Sequence, residues 1–168
     1  CCSYSNVCCI SITWQRISIM LTLIVFTPLV AAFVLLFVNK DNVGTIRIIS
    51  VAAAAVTFLL ALALLSGFDS LESGMQFTES FAWVPMLHIN YKVGVDGISL
   101  WLVVLTAFVS MIAVCFSLDR AVGFRNFMAL LLALEAGTLG VFVALDMILF
   151  YVFWELMLVP TYFLIGIW

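Results

Sequence analysis

Residues 147–168 read MILFYVFWELMLVPTYFLIGIW, a run of 22 residues with a single charged side chain, Glu155. About 20 apolar residues suffice to cross the hydrocarbon core of a bilayer, and they must do so as a helix. A carboxylate at mid-depth costs roughly 2.5–3.5 kcal/mol to insert. The run therefore predicts a transmembrane helix, and Glu155 predicts a site that handles charge. The alternative is a structural glutamate hydrogen-bonded to another helix.

The composition of the whole chain also indicates that a lipid bilayer surrounds it. It is 67% hydrophobic and 9% charged, with a mean hydropathy of +1.33, whereas a soluble domain has about 25% charged residues. The chain is therefore predicted to be an all-α polytopic membrane protein. A basic cluster for nucleic acid, a glycine-rich phosphate loop and a nucleophile–base or metal-ligand set are all absent from the sequence, which disfavours a nucleic-acid partner and a stand-alone enzyme.

Five segments are long and apolar enough to span a membrane. Residues 1–19 are set apart as a doubtful extension, because the chain does not begin with Met and Met20 reads as a natural start. The four cysteines in that extension have a CC-x5-CC spacing that matches no zinc or iron–sulfur pattern well. A single transmembrane domain is predicted over 20–168, with spans at 17–38, 46–66, 98–118, 127–145 and 147–168.

The basic residues between the spans predict the orientation. Four of them fall on one side of the predicted bilayer and two on the other, and cytoplasmic loops carry the excess of Lys and Arg. The majority side is therefore predicted to be inside, which places the N-terminus outside. The majority comprises Lys40, Arg47, Arg120 and Arg125, and the minority comprises Arg16 and Lys92.

The longest loop, residues 67–97, would then lie outside. It holds two runs of alternating side chains separated by Pro85, a pattern typical of a β-hairpin, here lying over the helix ends. Phe77, Phe81 and Trp83 share one parity in the first run, which Glu79 interrupts. His88, in the second run, is interpreted as a polar-face residue of the hairpin rather than a ligand or proton carrier.

Two aspartates precede predicted spans. Asp96 and Asp146 are well placed as helix N-caps, where a carboxylate accepts unpaired N–H groups; a role in proton entry is the alternative. Only Asp146 separates the last two spans, so these are predicted to form a close helical hairpin. Cys115, within an apolar segment, is predicted to be a small buried side chain.

Glu135 and Glu155 are the acidic residues inside the spans. At 1.5 Å per residue they lie about 16.5 and 13.5 Å from Asp146, so both are near mid-membrane. Since basic residues are absent from the middle of every span, Glu155 must be protonated, hydrated or paired with a cation from elsewhere. For Glu135 a structural hydrogen bond and a proton-relay role both stay open. Pro160 frees the carbonyl of Leu156, which could hold water beside Glu155; an ordinary kink is the alternative.

Residues 141–168, with the stretch FWELMLVP, resemble the fourth-to-fifth helix region of subunit M of NADH:quinone oxidoreductase, respiratory complex I, whose mitochondrial counterpart is chain 4. Residues 95–100 (VDGISL) resemble the entry to that family's third helix, and Met20 onward resembles its N-terminus. The resemblance implies an antiporter-like, proton-pumping subunit in a bacterial inner membrane, with other membrane-arm subunits and the lipid bilayer as partners. It implies that Glu155 is the glutamate of the proton channel, paired with a lysine on a later helix.

The resemblance also implies that NAD, flavin, iron–sulfur clusters and quinone are bound by other subunits and that this chain holds no cofactor or metal. The family has about fourteen helices, with proton half-channels built from inverted repeats. The chain is accordingly expected to be an N-terminal fragment of that fold. A multi-subunit Na⁺/H⁺ antiporter, a membrane-bound hydrogenase arm, and a structural or assembly protein without transport are the alternatives.

Overall fold

A computed structural model describes residues 19–69, 74–84, 89–119 and 123–167. Within these ranges lie five helices and one antiparallel pair of strands, and all five helices are long and apolar enough to cross a membrane. The predicted helical fold with a small hairpin is thereby confirmed. The elements are α1 (Met20–Phe37), α2 (Val43–Ser66), β1 (Gln76–Val84), β2 (Ile89–Val95), α3 (Gly97–Phe116), α4 (Phe124–Val143) and α5 (Met147–Ile167).

Some sequence predictions fall outside the described residues. These concern the cysteine-rich start of the chain with Arg16, the Pro85 and His88 segment between the strands, and Arg120. They stay predictions.

Helix α4 lies at the centre of the bundle. It packs against each of the other four helices and is the most enclosed of the five. Its small residues let α5 come close: a Cβ built on Gly137 would lie 3.0 Å from the backbone nitrogen of Met157, and one built on Gly140 would fall less than 3.0 Å from the ring of Phe153. Close backbone approach at small residues is how helices associate in lipid. The predicted helical hairpin of the last two spans is confirmed.

The buried apolar residues form two clusters at different depths. The hairpin-side cluster lies nearest the strands, and the far-side cluster lies at the opposite end of the bundle. The first comprises Leu21, Ile24, Val25, Ala61, Leu64, Phe77, Val93, Val95, Leu100, Val103, Ala107, Leu139, Val143, Leu149 and Phe153. The second comprises Ala32, Leu35, Ile46, Ala53, Ala54, Val114, Phe124, Phe127, Met128, Ala129 and Leu132.

The hairpin lies over the helix ends, as predicted. The side chains of Val93 and Val95, in strand β2 of the hairpin, are fully buried. The backbone N–H of Leu145, just after α4, donates to the Lys92 carbonyl at 2.9 Å. The strand register shifts between Gln76 and Glu79, where Phe77 has a φ of 54°. This bulge breaks the simple alternation expected of the first run.

Both predicted N-caps are confirmed. Asp96 Oδ1 accepts the backbone N–H of Ser99 at 2.7 Å, and Asp146 Oδ1 accepts that of Ile148 at 2.9 Å. The hydrogen bond from the Ser99 N–H lowers the pKa of Asp96, because it stabilises the charged carboxylate.

The outer surface of the bundle is apolar, as a lipid-facing surface should be. Phe33, Leu59 and Ile48, for example, are 62%, 62% and 71% exposed. Cys115 also lies on this surface, so the prediction that it is buried was wrong. Its neighbour Val114 occupies the core-facing position instead, and one residue of helical rotation turns the thiol outward.

Candidate functional site

Glu155 lies near the middle of α5 on the side that faces away from the bundle. The buried face of α5 consists of Leu149, Phe153 and Pro160. Glu155 is two residues from both Phe153 and Met157, a rotation of about 200° that puts it on the opposite face. Its side chain is exposed and interacts with the hydroxyl of Tyr151, one helical turn earlier.

The exposure of Glu155 has an energetic consequence in a bilayer. A carboxylate facing lipid at mid-depth would carry a cost of roughly 2.5–3.5 kcal/mol that one tyrosine hydroxyl cannot offset. This face of α5 is therefore one that other protein segments or a water-filled path must cover.

Glu135 lies on the opposite side of the same helical hairpin. It shares a stripe of α4 with Met128, Leu132 and Leu139, all of them fully buried, and it is itself only 2% exposed. The face of α4 that meets α5 carries Gly137 and Gly140 instead. The stripe therefore turns Glu135 toward the interior of the five-helix bundle.

The two glutamates are thus not brought together. They lie at similar depth, as the sequence predicted, but the packing of α4 on α5 separates the two carboxyl groups. Neither carboxylate oxygen of Glu135 has a hydrogen-bond partner among the described residues. Each glutamate therefore forms its own site within this chain.

Pro160 packs into the bundle beneath the Glu155 face. It is buried, and α5 continues through it to Ile167. A proline has no N–H to donate, so the Leu156 carbonyl one turn earlier lacks its usual helix donor. This acceptor is the backbone group adjacent to Glu155, as the sequence predicted.

A third acidic site, at Glu79 of β1, was missed by sequence reasoning. Glu79 is 3% exposed. Its Oε1 accepts the backbone N–H of Leu21 at 3.1 Å, and its Oε2 is hydrogen-bonded to the Thr22 hydroxyl. That hydroxyl also lies 3.1 Å from the hydroxyl of Tyr91. The hairpin thereby caps the start of α1. In the sequence, the signal for this site was that Glu79 interrupts the alternating apolar residues of the first run.

The Glu79 clamp is expected to weaken as the pH rises. Burial raises the pKa of Glu79 above its usual 4.5, more than the hydrogen bonds from Thr22 and Leu21 lower it. The native state then holds the proton more tightly than the unfolded chain. The stabilisation is complete below about pH 4.5 and is lost as the pH rises through the higher native value.

Glu79→Gln keeps the acceptor but does not titrate, so its stability is expected to lack this contribution to the pH dependence. Thermal unfolding in detergent, followed by circular dichroism, should show the wild type losing stability relative to Glu79→Gln as the pH rises from 4 to 7. Parallel pH profiles of the two proteins would contradict the assignment.

No family model matches this chain. The chain is 42% identical over 153 residues to NADH-quinone oxidoreductase subunit M of Rhodobacter capsulatus and 38% identical over 149 residues to NADH-ubiquinone oxidoreductase chain 4 of Arabidopsis thaliana. These matches cover 89% and 86% of this chain and 30% of each relative. The chain thus spans less than a third of these relatives' length.

Other complexes contain similar chains. F(420)H(2) dehydrogenase subunit M of Methanosarcina mazei is 38% identical over 155 residues, which is 88% of this chain and 30% of that protein. Among solved structures, a chain of the membrane-bound sulfane sulfur reductase, an archaeal respiratory membrane complex, has the same fold, with a TM-score of 0.69 over 89% of this chain and 23% of that chain at 20% identity.

The fold, with carboxyl groups at Glu135 and Glu155, defines a multi-pass α-helical membrane protein with ionisable groups inside its spans. The similarity then specifies the relationship. Over nearly nine-tenths of its length the chain is homologous to subunit M, or chain 4, of the NADH-quinone oxidoreductases, as its FWELMLVP stretch predicted.

Proposed function

We propose that this chain forms part of a proton-translocating membrane subunit of a respiratory NADH:quinone oxidoreductase. The observation that carries the proposal is Glu155: a carboxylate near the middle of a spanning helix, on the face that the described residues of this chain leave uncovered. A residue so expensive in lipid is kept where charge moves. The homology to subunit M supports assigning that charge to protons.

The uncovered face of α5 also specifies what Glu155 needs. Basic residues are absent from the middle of the spans in this sequence, so a counter-charge must come from another segment or subunit. The relatives are more than three times as long as the matched region. We infer that a lysine in such a segment faces Glu155 and modulates its affinity for the proton.

The proposed orientation of the chain across the membrane rests on the basic residues at the ends of the helices. Lys40 and Arg125 line one small cavity at the end of the bundle away from the hairpin, and Arg47 lies over the ring of Phe124 at the same end. This end would face the cytoplasm of a bacterial cell, with the hairpin and the N-terminus outside. Other membrane-arm subunits would contact the chain, and NAD, flavin, iron–sulfur clusters and quinone would be bound elsewhere in the complex.

The test is ion transport by the native assembly in sealed proteoliposomes. Oxidation of NADH by a quinone should change the pH of the lumen, and removal of sodium should leave the rate of this pH change unaltered. A protonophore, which should abolish the pH change, is the control. Obligatory sodium movement would favour the antiporter alternative, and ion transport that persists in an assembly lacking this chain would favour a structural role.

The electron donor is tested in the same vesicles. A relative of this chain belongs to an F(420)H(2) dehydrogenase, so reduced F420 serves as the competing donor. Ion movement driven by NADH alone is expected. Movement driven by reduced F420 alone would retain the transport role and reject the NADH assignment.

A further inference from the structure

The starting observation is the unsatisfied carboxyl group of Glu135. It is 2% exposed, and both of its oxygens lack a hydrogen-bond partner among the described residues. Burying a polar group without a partner is costly, and buried polar groups in native proteins nearly always have one. Such a group therefore calls for a ligand, an ion or ordered water.

Glu135 lies at the level where the two apolar clusters meet. On α4 it is flanked by Leu132 of the far-side cluster and Leu139 of the hairpin-side cluster. Two other helices have a buried threonine or proline at the same junction. On α2, Thr57 lies between Ala54 of the far-side cluster and Ala61 of the hairpin-side cluster. On α1, Pro28 lies between Val25 of the hairpin-side cluster and Ala32 of the far-side cluster.

Contacts at the far end of the bundle place these residues at one depth. Arg125 Nη1 donates to the Val38 carbonyl at 3.2 Å, which brings the start of α4 beside the end of α1. Ten residues then separate Arg125 from Glu135, and ten separate Val38 from Pro28. At 1.5 Å per residue, both lie about 15 Å from that end.

Helix α2 is aligned with α4 at the same end of the bundle. The guanidinium carbon of Arg47 lies 5.8 Å from the centre of the Phe124 ring, which aligns the start of α2 with the start of α4. Ten residues separate Arg47 from Thr57, and eleven separate Phe124 from Glu135. The two helices run in the same direction, so Thr57 and Glu135 reach mid-membrane together.

Two further potential acceptors lie at this depth. The Thr57 hydroxyl donates to the Ala53 carbonyl at 3.0 Å, which leaves its oxygen able to accept. Pro28 cannot donate to the Ile24 carbonyl, so that carbonyl loses its usual helix partner. Ala54 and Ala61, which lie on either side of Thr57 along α2, are small and fully buried.

We infer that Glu135, Thr57 and the Ile24 carbonyl form a water-binding site in the middle of the bundle. Buried water usually makes two to four hydrogen bonds to groups that would otherwise be unsatisfied, and these three groups supply that number. The carboxyl group holds its proton there, since a lone carboxylate without a counter-charge would be far more costly to bury. The proton is donated to a bound water molecule.

A metal cation fits the site less well than water. Spans α1, α2 and α3 contain no acidic residue, so a cation would meet one carboxylate, one hydroxyl and one carbonyl. Hard cations take about six oxygen ligands. The site lies on the opposite side of the α4–α5 hairpin from Glu155, and this inference stands whether or not Glu155 carries protons.

The experiment is infrared spectroscopy of the protein in its native membrane assembly. The spectrum of the wild type minus that of Glu135→Gln isolates the C=O stretch of the Glu135 carboxyl group. We expect a protonated-acid band that shifts when the membranes are transferred to D₂O. Thr57→Val removes the hydroxyl at constant shape, and Pro28→Ala restores an N–H donor to Ile24, so each should shift the band toward that of a less hydrogen-bonded acid.

Ser50→Ala is the matched control. Ser50 is also a buried hydroxyl on α2, bonded to the Ile46 carbonyl at 2.8 Å, but it lies about two turns toward the far end. It should leave the band unchanged. A band insensitive to D₂O and to both site variants would show a dry carboxyl group and overturn the inference. So would a carboxylate band that appears only with added sodium.

Discussion

Glu155→Gln is expected to reduce proton translocation by the native assembly about 100-fold or more, the scale on which a positioned proton-transfer group contributes. Glutamine keeps the size and hydrogen-bonding shape of the side chain but cannot bind and release a proton. Glu155→Asp keeps a carboxyl group on the outward face of α5 but shortens the side chain by one methylene. This variant should therefore retain part of the proton transport. Proton uptake coupled to donor oxidation in proteoliposomes measures both.

A matched control for this experiment lies on the same helix. Tyr162 is 74% exposed, so Tyr162→Phe removes one polar group from the exposed surface of α5 without touching Glu155. It should transport protons at the wild-type rate. Wild-type transport by Glu155→Gln would refute the charge-handling role. Loss of assembly in both Glu155 variants would instead assign Glu155 a structural role.

Gly140→Val is expected to destabilise the α4–α5 hairpin by about 3 kcal/mol, the upper end of the usual cost of overpacking. Even a single Cβ at this position would fall less than 3.0 Å from three atoms of the Phe153 ring. That ring is 5% exposed and is held in the hairpin-side cluster, so it has little room to turn away. Unfolding in mixed micelles, followed by circular dichroism, gives the free-energy difference.

Gly166→Ala is the matched control on α5. A Cβ at Gly166 meets nothing within 4 Å, and alanine favours a helix over glycine by up to about 1 kcal/mol. This variant should be as stable as the wild type or slightly more stable. Equal stabilities for Gly140→Val and Gly166→Ala would mean that the close contact of α4 with α5 does not hold the hairpin together.

Much of the architecture could be predicted from local sequence. The five helices, the hairpin and the caps at Asp96 and Asp146 follow from apolar length, alternation and the identity of the residue before each helix. The helix ends differ by a few residues, as at α4, which begins at Phe124 rather than at 127. Capping and hydrogen bonding fix those ends, and an apolar run alone does not mark them.

The side chains on which function depends were predicted less completely. Glu79 was noted only as an interruption of a pattern, because the partners it caps, Leu21 and Thr22, lie 58 and 57 residues away in the chain. Cys115 was placed on the wrong side of its helix. In a span that is apolar all round, composition carries almost no information about which face packs inward.

The amino-acid sequence by itself predicted five membrane-spanning helices, and the described residues contain five helices long and apolar enough for that; it also placed Glu135 and Glu155 near mid-depth. Both conclusions need only the composition of each run and the rise per residue along a helix. Only the tertiary structure decided that Glu155 faces outward while Glu135 is buried in the interior of the bundle. The rotation of a helix about its axis is set by close packing against its neighbours, here by Gly137 and Gly140 against α5.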